Sequence, residues 1–201
     1  MNTRSIQTED KKVRKAVVLL GSPRKKGNST VLARNIAKGA ESAGVIVETL
    51  FIHGMDIKPC QACWSCQKEG SKGCVIEDDM HSVYPKLIEA DAWIISSPIH
   101  WFSVSTQTKL WLDRSFALMA HGLESFDKKI AIALAYGDVD PFKSGCVNAI
   151  RTFQDAFSYA GATITGFVYG TALNVGDIEQ NTELLNAAEA LGKQLGKAVD
   201  G

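Results

Sequence analysis

The chain has 201 residues, 45% hydrophobic and 22% charged, and its 22 Lys+Arg balance 22 Asp+Glu for a formal net charge of zero. That length suits one compact domain, and the balance excludes both the basic stripe of a nucleic-acid binder and the acidic excess of a solvating tail. The longest apolar runs, such as Ala16 to Leu20 and Ile130 to Tyr136, are strand-sized and too short to span a bilayer. The first residues, Met1 to Lys15, are polar and lack a secretory signal, so a cytoplasmic protein without membrane or nucleic-acid partners is expected.

Residues 1–14 show no periodicity and are expected to form a flexible arm, with one domain over 15–201. Ala16 to Leu20 is a continuous apolar run, as a parallel strand buried on both faces requires. Ser29 to Ala43 places Leu32, Ile36, Ala40 and Ala43 on one helical face, and Gly44 stops it. Val45 to Ile52 reads as a second strand, followed by a cysteine-rich segment and a helix over Asp78 to Ala90. Ala92 to Ser96 is a third strand, Val104 to Met119 a helix, Lys129 to Tyr136 a fourth strand and Gly145 to Tyr159 a helix. Thr163 to Tyr169 and Glu179 to Val199 supply the fifth strand and last helix. Strands alternating with helices in this way predict right-handed βαβ units, an α/β sandwich with a parallel sheet, and ligands at the carboxyl ends of the strands.

The loop after the first strand, Gly21-Ser-Pro-Arg-Lys-Lys-Gly-Asn-Ser-Thr30, leads into a helix N-terminus. Free N–H groups and the positive end of the dipole there suit a phosphate monoester. Ser22, Asn28, Ser29 and Thr30 would add side-chain donors and Arg24 a charge; the simpler reading has Ser29 and Thr30 only capping the helix. Neither a Walker A loop nor the Gly-x-Gly-x-x-Gly dinucleotide fingerprint is present.

Four of the five cysteines follow the pattern Cys60-x2-Cys63-x2-Cys66-x7-Cys74. Short Cys-x2-Cys-x2-Cys runs suit a [4Fe–4S] cube, because a loop of this pitch can present three thiolates to one cluster. Zinc sites more often use two separated knuckles. The last spacing is seven residues and not the three of bacterial ferredoxins, and zinc or bare thiols stand as the alternatives. Cys146, near a helix start, reads as a packed thiol.

The phosphate loop, together with Ser97-Pro-Ile-His-Trp-Phe-Ser-Val-Ser-Thr-Gln-Thr-Lys-Leu-Trp-Leu-Asp-Arg114, resembles the NADPH-dependent FMN reductases of the flavodoxin-like superfamily. The cysteine cluster leading into Asp78-Asp79-Met80 is similar to their iron–sulfur flavoprotein branch. The resemblance runs from about Lys15 to Gly170 and implies a flavodoxin-like three-layer sandwich, with a five-stranded parallel sheet of order 2-1-3-4-5 and FMN at the switch point between strands one and three. It implies that Pro98, Ile99, His100, Trp101, Phe102 and Ser103 wrap the flavin ring, with His100 standing where the family commonly has tyrosine. Gly137, in the Gly/Asp-rich turn after strand four, is expected as a further flavin contact, with turn hydrogen bonding as the plainer reading of its aspartates, and the resemblance gives Lys109 and Asp113-Arg114 as a structural or interface signature. The function so implied is an FMN-dependent oxidoreductase that takes electrons from NAD(P)H and passes them to a small-molecule or protein acceptor, with a [4Fe–4S] cluster on Cys60, Cys63, Cys66 and Cys74 as a one-electron outlet. A non-enzymatic electron carrier or redox sensor is the alternative, and neutral charge argues against the carrier. If Trp101, Phe102 and Trp111 are exposed beside the flavin loop, they form an apolar patch, and a homodimer or homotetramer is expected.

Overall fold

The computed structural model describes residues 15–197, so the arm expected over 1–14 and the last residues of the final predicted helix lie outside the described residues. The elements are β1 (Lys15–Leu20), α1 (Asn28–Ser42), β2 (Ile46–Phe51), α2 (Met80–Glu89), β3 (Ala92–His100), β4 (Ser103–Val104), α3 (Thr106–Arg114), β5 (Lys129–Tyr136), α4 (Cys146–Ala160), β6 (Thr163–Thr171) and α5 (Thr182–Gly196). The sheet runs β2-β1-β3-β5-β6, with every neighbouring pair parallel. This is the flavodoxin-like order expected, with the fourth and fifth predicted strands now β5 and β6. The sixth strand, β4, is a two-residue antiparallel addition to β3 through Ile99↔Val104 and His100↔Ser103.

Strand alternation distributes the core between the two faces of the sheet. Val17, Leu19, Trp93, Ile95, Ile130 and Ile132 face α2, α3 and α4; Ala16, Val18, Ile94, Ala131 and Ala133 face α1 and α5. On the first face Trp93 is fully buried and meets Trp111, Phe126 and Phe157 edge-to-face at centroid distances of 6.4, 5.7 and 6.1 Å. On the second, α1 and α5 approach through glycines. A Cβ on Gly39 would lie 2.0 Å from the Glu189 carbonyl oxygen, and one on Gly192 1.9 Å from that of Ile36. Only glycine permits backbones to pass this closely.

Two expectations need correction. Trp111 is fully buried against Trp93 and not part of an exposed patch, because it lies with Thr108 and Arg114 on the buried face of α3. The predicted helix over Val104 to Met119 is α only from Thr106 to Arg114 and continues as a 3₁₀ segment over Ser115–His121. Its start is fixed by Ser105, whose side chain accepts from the Thr108 N–H.

Candidate functional site

The segments singled out in the sequence gather at the carboxyl edge of the sheet. The loop after β1 docks on the end of β3 through the Gly21 N–H, which donates to the Ser96 carbonyl at 2.9 Å, and through Ser105 Oγ, which donates to the Gly21 carbonyl at 2.7 Å. Within the loop, the Arg24 carbonyl accepts from the Gly27 N–H at 3.0 Å and from Thr30 Oγ1 at 3.3 Å, and Ser22 Oγ accepts from the Arg24 N–H at 3.1 Å. α1 then starts at Asn28, after an extended Gly27 that makes no side-chain cap, so its first N–H groups point out of the helix end.

Buried side-chain polar atoms lacking a partner among the described residues are Ser29 Oγ, Ser96 Oγ, Trp111 Nε1 and Arg114 Nε. The first two belong to this loop and the strand end beneath it. A buried hydroxyl without a partner costs about 1–3 kcal/mol, a cost that a bound anion removes. Of the predicted phosphate donors, Ser22, Ser29 and Thr30 are buried and Arg24 is exposed. Asn28 is occupied elsewhere: its amide donates to the Asn174 carbonyl at 2.7 Å, and its Oδ1 accepts from the Gly176 and Ile178 N–H groups, each at 3.3 Å. It braces the turn after β6, a link between segments about 146 residues apart that no local pattern signals.

Pro98, Ile99 and His100 lie in the extension of β3, not in a loop, and Ser103 begins β4. Trp101 and Phe102 form the hairpin turn between them with φ of 47° and 66°. Positive φ at both central residues gives the twist a two-residue hairpin needs, but bulky side chains pay for it in backbone strain. The strain is held from α4: Asn148 Nδ2 donates to the Phe102 carbonyl at 3.0 Å. Gly145, with φ of 77°, packs so closely that a Cβ there would lie 2.5 Å from Phe102 Cα. Trp101 is 93% exposed, and Phe142, Val139 and Leu173 on the loops after β5 and β6 are at least 75% exposed. Gly137 sits in the exposed turn after β5, beside Leu173.

The cysteines occupy a lobe after β2 that packs against α3. Trp64, with φ of 57°, meets Phe116 edge-to-face at 5.5 Å, and Gln67 Nε2 donates to the Phe116 carbonyl at 3.0 Å. Cys60, Cys63, Cys66 and Cys74 all line one cavity of about 580 Å³, whose far wall includes Leu112, Met119, Phe157 and Tyr159. Hydrogen bonds from Ser65 hold the Cys63 thiol below its ordinary pKa, a bias toward the thiolate that binds metal. Among the described residues no three His, Cys, Asp or Glu side chains converge as a single-ion site. Bonds of about 2.3 Å would draw the thiolates around one zinc ion to within about 4 Å of each other, whereas a cube carries its own iron and sulfide between more widely spaced ligands. The four cysteines share this one cavity, which puts all of them within one lobe of the fold. Cys146 is apart and fully buried, and burial pushes its thiol up to about 12.

The neck of the lobe is tied by charge. Arg114 and Asp78 form an ion pair with side chains 1% and 0% exposed, and Arg114 also donates to the carbonyls of Lys58 at 2.7 Å and Ile76 at 3.4 Å. Burial pushes the Asp78 carboxyl up, but the Arg114 guanidinium and the Lys58 and Met80 N–H groups overcome this and hold it below the usual carboxylate range. This assigns Arg114 the structural role expected for the Asp113-Arg114 pair, while Asp113 makes only an exposed bridge to Lys109.

Residues 14–169 match the NADPH-dependent FMN reductase family. The chain belongs to this family. It is 30% identical to an iron–sulfur flavoprotein of Methanosarcina thermophila over 73% of this chain and 74% of that one. It is 36% identical to one of Methanocaldococcus jannaschii over 50% of this chain, a match that spans only 51% of the relative. An NAD(P)H:quinone oxidoreductase of Methanothermobacter marburgensis superposes with a TM-score of 0.74 at 19% identity, over 92% of this chain and 97% of that one, which shows the shared fold. Among the described residues of this FMN reductase family member, no helix is long and apolar enough to cross a membrane.

Proposed function

We propose that the protein is an FMN-dependent NAD(P)H oxidoreductase that passes electrons onward through a [4Fe–4S] cluster held by Cys60, Cys63, Cys66 and Cys74, in a reducing cytoplasm. The observation that carries the flavin part is Ser29 Oγ: a buried hydroxyl with no partner, in the first turn of α1, where the N–H groups and the helix dipole favour an anion. The loop offers one helix N-terminus and the sequence carries no Gly-x-Gly-x-x-Gly fingerprint, which supports FMN in preference to a dinucleotide. When bound, FMN accepts hydride from the nicotinamide and releases electrons singly or in pairs, and the cluster would carry them one at a time.

The chain's own residues orient the group. Ser22 and Ser29 would offer hydroxyls to the phosphate, while Asn28 and Thr30 would contribute main-chain N–H groups from the first turn of α1. The hairpin from Pro98 to Ser103, which Gly145 and Asn148 hold at Phe102, and the turn at Gly137 would border the ring. Hydride transfer requires no side-chain acid or base, so these residues act by placement. The exposed apolar rim of Trp101, Val139, Phe142 and Leu173 supports a homodimer or homotetramer in which a second copy covers the ring.

Cofactor released by acid from the purified protein is expected to elute as FMN, and the loaded protein should oxidise NADH or NADPH steadily with an added acceptor. Release of FAD, or no flavin after incubation with FMN, contradicts the flavin reading. A flavin-replete protein that does not oxidise either nicotinamide would be a carrier or sensor instead.

A further inference from the structure

The cysteine lobe leaves and re-enters the fold at one point. Lys58 lies two residues before Cys60, and Ile76 two residues after Cys74. Arg114 donates to the carbonyls of both, from Nη1 to Lys58 at 2.7 Å and from Nη2 to Ile76 at 3.4 Å, while the same two nitrogens pair with the Asp78 carboxylate. Asp78 in turn accepts from the Lys58 N–H at 2.9 Å and from the Met80 N–H at 3.0 Å. A second pair of bonds closes the neck just outside: the Asp56 N–H donates to the Asp79 carboxylate at 2.7 Å, and the Asp79 N–H to the Asp56 carbonyl at 3.0 Å. Between these ends the only regular structure is a three-residue 3₁₀ turn, Ser65–Gln67.

We propose that Arg114 is a positioning residue for the cluster: its guanidinium clamps the two ends of the lobe together and so sets where Cys74 stands relative to Cys60, Cys63 and Cys66. This rests on the reading of the four cysteines as cluster ligands. Stability alone does not account for the clamp, because a buried ion pair can often be replaced by apolar side chains without loss. A planar fork with five donors can hold one carboxylate and two carbonyls from opposite ends of a loop at once; an ammonium group or an apolar side chain cannot. The cost of a misplaced neck would fall on the fourth ligand, since three thiols share one short run and Cys74 alone comes from the returning strand of the lobe. Tyr84 fixes the clamp itself, its hydroxyl donating to the Arg114 carbonyl at 3.1 Å.

The test uses the full chain loaded with FMN and reconstituted anaerobically with ferrous iron and sulfide, as wild type, Arg114→Lys and the double variant Arg114→Met with Asp78→Asn. The double variant leaves no uncompensated charge in the neck, and Asn keeps an acceptor for the Met80 N–H. Three quantities are read: iron per chain, its rate of loss to a chelator, and the alkylation rate of Cys74 relative to Cys60 in iron-free protein. Wild type is expected to hold about four irons. Both variants should bind iron about 10–100-fold more weakly, the usual effect of losing a group that orients a ligand. They should keep FMN, and in the iron-free state Cys74 should change its relative alkylation rate while Cys60 does not. Variants with wild-type iron retention and wild-type alkylation would overturn the positioning role alone. Loss of iron together with FMN in both variants would mean general damage and would also overturn it. Wild-type protein that takes up no iron would overturn the cluster reading, and the positioning role with it.

Discussion

Ser29 shows how a single atom can point to a ligand. Its Oγ is buried without a partner, and a hydrogen bond from it to a charged phosphate is worth about 1.5–3 kcal/mol. Ser29→Ala should therefore weaken FMN binding by about 10–150-fold by fluorescence titration, and Ser29→Asp should abolish it by repulsion of the phosphate. Asp78 governs the acid limb of stability. Because its carboxyl is held below the ordinary value, its stabilising contribution is complete above about pH 4 and disappears as pH falls through the lowered value. Wild type should lose stability on acidification, whereas Asp78→Asn should be less stable at neutral pH and flatter in its acid response, as read by denaturant midpoints. Removing the carboxyl group altogether, as Asp78→Ala, should cost about 3–5 kcal/mol, since it strands a buried guanidinium. The thiols should separate in the iron-free protein: near pH 8 a maleimide should label exposed Cys60 and Cys63 rapidly and spare Cys146, which is buried with its thiol pushed up to about 12. The cysteine pattern, the loop that leads from β1 into α1 and the packing of Cys146 were all legible in the sequence. The pairing of Asp78 with Arg114 was not, because nothing local links two residues that meet only when α3 packs on the lobe.

At the scale of elements, apolar runs and helical periodicity located every parallel strand and each α-helix, and their alternation pointed to a parallel α/β sandwich, while the strand order came from the family resemblance. Two features escaped for physical reasons. β4 is two residues long and exists only because the strained Trp101-Phe102 turn is held by α4, a tertiary contact without a local signature. Trp111 was read as exposed from its place beside the flavin loop, but the face of α3 that carries Thr108, Trp111 and Arg114 is the buried one. The crossing of α1 and α5 is also tertiary, and it makes a sharp prediction. Gly192→Ala would drive a methyl group into the Ile36 carbonyl and should destabilise by about 1–3 kcal/mol or more, lowering Tm by roughly 2–4 °C for each kcal/mol.

For the whole molecule, the loop proposed to hold the FMN phosphate and the cysteine lobe both stand at the carboxyl edge of one sheet and share α3 as a wall. Ser105 and Thr108 at its start support the phosphate loop, and Arg114 at its end clamps the lobe. Under the proposed function, electrons would pass between two sites that share this helix, without a domain movement. The exposed apolar rim should be covered in solution, so light scattering at micromolar concentration should give a mass at least twice that of one chain. The claim that joins these features is that one chain holds both a flavin reducible by nicotinamide and a cluster, and an anaerobic titration of the reconstituted protein with NAD(P)H tests it directly. Full bleaching of the flavin and iron–sulfur absorption should require about one and a half equivalents per chain, two electrons for the flavin and one for the cluster. An end point at about one equivalent would contradict the cluster, and no bleaching at all would contradict the oxidoreductase itself.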